Sequence, residues 1–407
     1  MNQKINKMDY LYVGVDLHKK KHVAVLCNCV FDKIATFKIE NTPSKFPEFI
    51  NKLEQYTNGQ NVIFGLEDVS FYGRSFAKFL IQQNFIVKEV NSSYTKKKRK
   101  SGTNRNKTDE IDALAICKIL ITEYDNLPFA NPKDIYWTIK QTLSIRNNYV
   151  QMMSNIKVSL HNLLIHNYPN YKSFFKDFDS KTSRGFFDTF PNPDLLMEMD
   201  NEELLKILKQ FNKSTPAKKA EEILVVVKEH GCWENGYKEE RNNVIRSYIS
   251  SLNYFEDKVL KLEQQLDTLI EETGYPLKTI PGIDTIVAAT LIAYIGDVNR
   301  FSNSGKLAKF AGIAPVVHSS GDTSKKFSNT RDNRELNTAF YSLALTQIRQ
   351  EVNPIMHEYY QKKRKEGRKK KQAMVYVERR LVNIVFSIMK NKRPYVQPEP
   401  KENKEIA

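Results

Sequence analysis

Two short apolar runs, each ending in an acid, constrain this chain more than any other feature. Leu11-Tyr12-Val13-Gly14-Val15 runs into Asp16, and Val62-Ile63-Phe64-Gly65-Leu66 runs into Glu67. Runs of this length read as buried strands, and strand ends in an α/β sheet are where sites collect. A second pair of acids lies in Lys107-Thr108-Asp109-Glu110-Ile111-Asp112-Ala113. On a helix Asp109 and Asp112 stand i and i+3, about 5–6 Å apart on one face. Two uncompensated carboxylates that close repel each other, and a divalent cation resolves the repulsion. Oxygen ligands favour Mg²⁺ or Mn²⁺ over zinc. Two such ions about 3.5–4 Å apart can activate one oxygen and stabilise another, which suits phosphodiester chemistry. Each acid also has a plainer reading. Helix-start acids suit the macrodipole, an acid after a strand is commonly a turn residue, and Asp68 competes with Glu67 for the strand end.

The surrounding pattern predicts a mixed sheet. Leu11–Asp16, His22–Leu26 and Ile34–Ile39 read as successive strands, and Phe46 to about Tyr56 as an amphipathic helix with Ser44 as N-cap. Val62–Glu67, helix Arg74–Gln83 and strand Phe85–Val90 follow. Three strands, helix, strand, helix, strand is the order of an RNase H-like domain, by analogy of fold. A helix from Asp109 to Ile121 comes next, then a long one over 135–166. Residues 167–200 are rich in Phe, Tyr, Asp, Asn and Pro and read as an irregular or short-helix insertion; 202–230 is helical again.

Ile245, Tyr248, Leu252, Phe255, Val259, Leu262, Leu266 and Leu269 form a 3-4 stripe over 241–272. It fits a coiled coil between subunits, or a long helix packed inside the protomer. Pro276 and Pro281 end that helix, and 280–390 reads as a compact, mostly helical domain. The tail from Arg393 is expected to be disordered.

Charge bounds the partner. The net charge is +16, and nearly all the excess sits in two runs. Lys96, Lys97, Lys98, Arg99, Lys100, Arg105 and Lys107 make the first, and residues 362–371 the second. Such runs favour a polyanion, the plainer alternative being a solvated charged face. The cysteines Cys27, Cys29, Cys117 and Cys232 show no zinc spacing and read as reduced thiols. No signal-peptide pattern opens the chain, and no apolar stretch nears the roughly 18 residues of a membrane span. A cytoplasmic location is expected.

Two C-terminal segments complete the pattern. Ile280-Pro281-Gly282-Ile283 resembles a helix-hairpin-helix turn that aims N–H groups at a phosphate, with Asp284 where a second glycine belongs. A tight turn between packed helices is the plainer reading. Phe310-Ala311-Gly312-Ile313-Ala314-Pro315 leads into Val316-Val317-His318-Ser319-Ser320-Gly321-Asp322, with Lys325, Lys326 and Arg331 beyond. By composition Ser-Ser-Gly is a turn. A serine there would need activation to act as a nucleophile.

Taken in order, Tyr12–Asp16, Leu66-Glu67 with Tyr72-Gly73, Asn106–Ala113, Ile280–Ile283 and Phe310–Pro315 through Ser320-Gly321 resemble the DEDD transposases of bacterial insertion sequences, the group that includes the Piv-type DNA invertases. The resemblance implies a RuvC-like α/β domain over 8–130, a helical linker with insertion and coiled coil over 131–275, a mainly α-helical transposase domain over 276–392, and a tail over 393–407. It implies Asp16, Glu67, Asp109 and Asp112 as ligands of two Mg²⁺ or Mn²⁺ ions, and Ser320 as nucleophile with Ser319 its nearest competitor. It further implies donor and target DNA, a structured noncoding guide RNA from the element, a dimer or tetramer, and nucleoid association in a bacterial cytoplasm. The basic loop at 96–107 and Lys325, Lys326 and Arg331 would then contact nucleic acid.

Overall fold

The computed structural model describes residues 6–67, 72–90, 108–230, 236–313 and 333–397, together with the strand backbone of 315–320 and 323–328. The chain divides into two compact units, Met1–Gln141 with Leu266–Ala407, and Thr142–Gln265.

The first unit holds a five-stranded sheet, built from β1 (Tyr10–Asp16), β2 (Lys21–Cys27), β3 (Lys33–Glu40), β4 (Asn61–Leu66) and β5 (Ile86–Glu89), in the order β3-β2-β1-β4-β5. β1–β2 and β2–β3 pair antiparallel, while β1–β4 and β4–β5 pair parallel. The expected mixed sheet is present, with its strands and helices in the expected order along the chain. The apolar runs fill β1 and β4, whose interior residues are buried. Successive side chains alternate between the faces. Val13, Val15, Phe64 and Leu66 join α1 (Phe46–Glu54) and α2 (Arg74–Gln82) in one apolar layer.

The opposite face is covered by α3 (Asp109–Glu123), which packs on Tyr12, Val23, Val25, Cys27 and Ile63. This helix is apolar around much of its circumference, with Ala113, Ile116, Cys117, Ile119, Leu120 and Ile121 all buried, as a helix set deep in a core must be. Cys27, Cys29 and Cys117 are free thiols, and the Cys117 Sγ donates to the Tyr12 carbonyl at 3.2 Å.

Ser44 does not cap α1. A 3-10 turn over Pro43–Lys45 precedes the helix, so its N-cap position falls to Lys45, which makes no side-chain cap bond.

Among the described residues, the rest of the first unit is helical apart from one strand pair. It contains α10 (Thr285–Ile295), α11 (Ser304–Phe310), α12 (Arg334–Gln347), α13 (Pro354–Lys365) and α14 (Lys370–Asn391). β6 (Pro315–Ser320) and β7 (Thr323–Ser328) pair antiparallel, a β element that the expected helical domain lacked. Polar contacts tie this part to the sheet side of the same unit. Arg300 reaches Glu89 at 2.5 Å while its guanidinium lies 5.1 Å from both the Phe301 and Phe310 rings. Lys133 reaches Asp297 at 2.7 Å. Residues 393–397 are ordered enough for the Tyr395 N–H to donate to Thr279 Oγ1 at 2.8 Å; 398–407 lie outside the described residues.

The second unit takes in most of α4 (Asp134–Asn167) and α9 (Lys238–Thr273), with α5 (Lys181–Thr189), α6 (Asp194–Glu198), α7 (Asn201–Phe211) and α8 (Lys218–His230). The aromatic insertion is its core: Phe174, Phe186, Phe187 and Phe190 pack with Leu204, Leu208 and Ile223. The upper part of the heptad stripe is used here too, since Ile245 and Leu252 are buried in the same cluster and Tyr248 packs against it. Lower down, Phe255 lies 5.3 Å from the Tyr149 ring and Glu263 pairs with Arg146 at 2.6 Å. From Ile245 to Phe255 the long helix therefore packs within its own protomer.

Candidate metal centre

β1 and β4 run parallel with Val15 opposite Leu66, so Asp16 and Glu67 leave neighbouring strands at the same level. By alternation both belong to the face that α3 covers. What brings the start of α3 to that level is glycine. A Cβ on Gly14 would lie 2.2 Å from the Ala113 carbonyl oxygen and 2.4 Å from the Cys117 nitrogen. Only a residue without a side chain lets the helix backbone rest on the strand backbone there. At Gly65 a Cβ would stand 3.2–3.3 Å from Leu120 and Ile116 side-chain atoms. With α3 laid on these two glycines, its first turn reaches the strand ends.

That first turn sorts its acids. Thr108 caps the helix, its hydroxyl accepting from the Ile111 N–H at 3.2 Å. Glu110 turns away to β3, accepting from Lys33 Nζ at 2.6 Å and Thr36 Oγ1 at 3.1 Å. Those bonds hold its carboxyl below the usual range. Asp109 turns the other way, toward β1.

His18 stands between the two elements. Its Nε2 is 3.1 Å from Asp16 Oδ2 and 3.3 Å from Asp109 Oδ1. One ligand atom from each of Asp16, His18 and Asp109 lies within 4.8 Å of the others. Asp16 is the most enclosed of the three, its side chain 15% exposed. Burial pushes the Asp16 carboxyl up, the nearby His18 lowers it, and Asp112 and Asp109 raise it further. Two carboxylates crowding a third, largely enclosed one is the charge arrangement that a divalent cation relieves. The donor set therefore fits such an ion.

The loop carrying His18 is anchored from below. The buried His22 accepts the His18 N–H on its Nδ1 at 3.2 Å. Burial holds His22 down at about 4, so it stays a neutral acceptor. Asn41 Nδ2 donates to the carbonyls of Lys19 and Tyr72 at 3.3 and 3.0 Å, joining the ends of two loops.

Asp16 and Asp109 are thus brought together, with Asp112 close enough to raise Asp16. Glu67 ends the strand beside Asp16 and is partly buried. Its rival Asp68 lies outside the described residues, as do Lys96, Lys97, Lys98, Arg99, Lys100, Arg105, Lys107 and Arg331. Ser320 is the last residue of β6, opposite Thr323; Lys325 pairs with His318 and Lys326 with Val317. For these the backbone alone is described. Sequence reasoning missed His18, and gave Gly14 and Gly65 no task.

The helix-hairpin-helix resemblance meets a plainer arrangement. Gly282 sits at φ +74°, and a Cβ there would meet Thr346 at 2.5 Å. Asp284 caps α10, accepting from the Val287 N–H at 2.7 Å. The Asp284 carboxylate occupies the helix end where a phosphate would have to bind.

Comparison with known proteins agrees at both ends of the chain. Residues 13–169 match a transposase family of DEDD IS110 type, and residues 275–361 match the "Transposase IS116/IS110/IS902 family". The chain is 32% identical over 125 residues to the insertion element IS116 44.8 kDa protein of Streptomyces clavuligerus, covering 30% of this chain and 31% of the relative. It is 29% identical over 153 residues to the insertion element IS110 43.6 kDa protein of Streptomyces coelicolor, covering 36% and 37%. It is 28% identical over 160 residues to the pilin gene-inverting protein of Moraxella lacunata, covering 37% and 49%. The matched stretches span about a third to a half of these relatives. No helix among the described residues is long and apolar enough to cross a membrane.

Proposed function

From the premise that this chain belongs to the DEDD transposases of the IS110/IS116 family, we propose that it is a DNA recombinase of an insertion sequence. One observation carries the proposal: Asp16 ends β1, Glu67 directly follows the adjacent parallel β4, and the start of α3, seated on Gly14, sets Asp109 and Asp112 near Asp16. In this reading the four acids hold two Mg²⁺ or Mn²⁺ ions, which when bound supply charge stabilisation at a DNA phosphate.

The protein supplies the rest. Ser320, at the end of β6 in the second matched region, attacks phosphorus. Its Oγ bonds to phosphorus as the bond to one deoxyribose oxygen breaks. The serine proton passes to a base, and the departing oxygen takes up a proton to become a free hydroxyl. A hydroxyl of the exchanged strand then attacks the phosphoserine, restoring Ser320. Phosphodiester bonds are conserved, so no external energy source is needed. His318, two residues before Ser320 on the same strand, is the proposed assistant, with Ser319 the alternative.

The basic run 96–107 immediately precedes α3 in the chain and is assigned to the DNA backbone, as are Lys325 and Lys326 on the strand paired with β6 and Arg331 further along the sequence. The run 362–371 and a structured noncoding RNA of the element complete the assembly, in which a dimer or tetramer presents two DNA partners. The expected location is the bacterial cytoplasm, at the nucleoid when active.

The test uses DNA carrying the element's ends with Mg²⁺ or Mn²⁺. Wild-type protein should form an adduct that survives denaturation and yields phosphoserine on digestion. Ser320→Ala and Asp109→Ala should each abolish adduct and exchange. A Ser320→Ala protein that still cuts would establish a hydrolytic RuvC-like nuclease instead. Unchanged DNA processing by Asp109→Ala would remove both enzymatic readings. RNA that copurifies and maps to the element supports guidance, whereas full exchange with RNase-treated protein opposes it. Binding should weaken steeply as salt rises.

The pilin gene-inverting relatives support inversion as a second reading of the same chemistry. Products distinguish them: inversion reverses a segment between two sites, while transposition leaves the element in a new location.

A further inference from the structure

We infer that His18 is a nitrogen ligand of the metal centre and shifts its preference from Mg²⁺ toward Mn²⁺. The inference rests on the proposed role of Asp16 and Asp109 as metal ligands and adds a residue that the acid pattern does not contain.

The distances favour coordination. In an octahedral site with bonds of about 2.1 Å, adjacent ligand atoms lie ~3 Å apart. His18 Nε2 stands 3.1 Å from Asp16 Oδ2 and 3.3 Å from Asp109 Oδ1. One ion facing all three would meet them along two edges of such an octahedron. The side chain is 46% exposed, so filling the core does not account for its position. Its backbone, by contrast, is fixed: the His18 N–H donates to the buried His22, and Asn41 Nδ2 donates to the His18 carbonyl at 3.4 Å. An anchored backbone with a solvent-facing imidazole between two acids resembles a preorganised ligand more than a chance surface pair. An exposed ion pair would contribute little to stability.

Imidazole changes the selectivity. Mg²⁺ demands oxygen and dehydrates reluctantly. Transition metals accept imidazole readily, and Mn²⁺ also tolerates the carboxylates around it. A site of acids alone leaves Mg²⁺ competitive, whereas one nitrogen in the set tilts it toward Mn²⁺.

The experiment measures Mn²⁺ binding to the full chain by electron paramagnetic resonance, with Mg²⁺ as competitor and pulsed detection of nitrogen coupled to the bound ion. Wild type should show nitrogen coupling. His18→Ala should lose it, and the Mn²⁺-over-Mg²⁺ affinity ratio should fall at least about tenfold, the loss typical of removing even an outer partner. His18→Gln guards against misfolding: with an unchanged melting temperature it should behave as His18→Ala. If both His18 variants bind Mn²⁺ with wild-type ratio and coupling, His18 is only an ion-pair partner and the inference is wrong, while the acid centre stands. Asp109→Asn tests that centre. If it leaves Mn²⁺ binding untouched, the ion sits elsewhere and both readings fall.

Discussion

The joint between sheet and α3 in the first unit and the aromatic core of the second solve the same problem in opposite ways. In the first, Gly14 removes its side chain so that backbone meets backbone. In the second, Phe174, Phe186, Phe187 and Phe190 fill the space between helices with rings 5.1–6.2 Å apart. Close backbone approach carries the ends of elements, with their polar residues, to one level. Ring packing separates backbones and rewards volume, and its buried cation Arg184 is spent on Glu256, at 2.5 Å. Where a site forms thus follows from which packing mode the sequence uses.

The contrast is broken most forcefully from the ring side. Phe187 is fully buried, with Phe186, Phe178 and Tyr171 within 6.1 Å. Phe187→Ala should destabilise the second unit by about 3–5 kcal/mol. Mn²⁺ binding at Asp16 and Asp109 should survive at temperatures where that unit remains folded. Loss of metal affinity in proportion to lost stability would show that the two packing modes are not separable.

A buried acid outside the strand-end cluster is the next control. Glu378 on α14 is 5% exposed, and burial pushes its carboxyl up to about 7, against a smaller lowering by Lys371. The folded state therefore prefers the protonated acid. The stability this gives is fully present below the ordinary value near 4.5 and is lost as pH rises through about 7. The difference amounts to about 3 kcal/mol. Glu378→Gln should remove that dependence and raise the melting temperature at pH 8, read by thermal melts across pH 4–8. A variant with the wild-type slope would show that Glu378 is not the group responsible.

Much of this was legible in the sequence. The acids were visible because strands and a helix announce their own ends: apolar runs stop at Asp16 and Glu67, and Thr108 with three acids marks a helix start. His18 was not visible. It sits beside three lysines in a loop, where no periodicity singles out a residue, and its partner Asp109 is joined to it only by tertiary packing. Gly14 and Gly65 stand within the apolar runs, and what they do depends on the helix that lies across the sheet. The heptad stripe fitted two partners because spacing fixes a face and leaves open what covers it; the Phe-rich insertion supplied the cover from Ile245 to Leu252. The β6–β7 pair escaped because composition makes Ser-Ser-Gly a turn, whereas Ser319 and Ser320 continue the strand begun by Val316-Val317.

A pair of glycine substitutions sharpens the comparison directly. Gly14→Ala sets a methyl against the Ala113 carbonyl and the Cys117 nitrogen, neither of which can rotate away. Gly185→Ala sets one 2.5 Å from the Phe211 ring, a side chain that can turn. The first should cost about 1–3 kcal/mol and also weaken Mn²⁺ binding by lifting Asp109 from Asp16. The second should cost less and leave the metal untouched. Equal costs by denaturant titration would remove the distinction between backbone contact and ring contact.

The smallest effect concerns Asp284, and it decides what the Pro-Gly turn is for. Its carboxylate caps α10 through the Val287 N–H, so Asp284→Ala should cost about 1 kcal/mol of stability. The same change frees the helix end for an anion. If the turn serves packing alone, DNA affinity at fixed salt should stay at the wild-type value despite the lost negative charge. If Asp284 instead holds a phosphate site shut, affinity should rise, and the slope of log affinity against log salt should steepen by about one contact. Gly282, packed on Thr346 at φ +74°, keeps the turn in place either way. The salt slope therefore reports on the helix end and not on a collapsed turn.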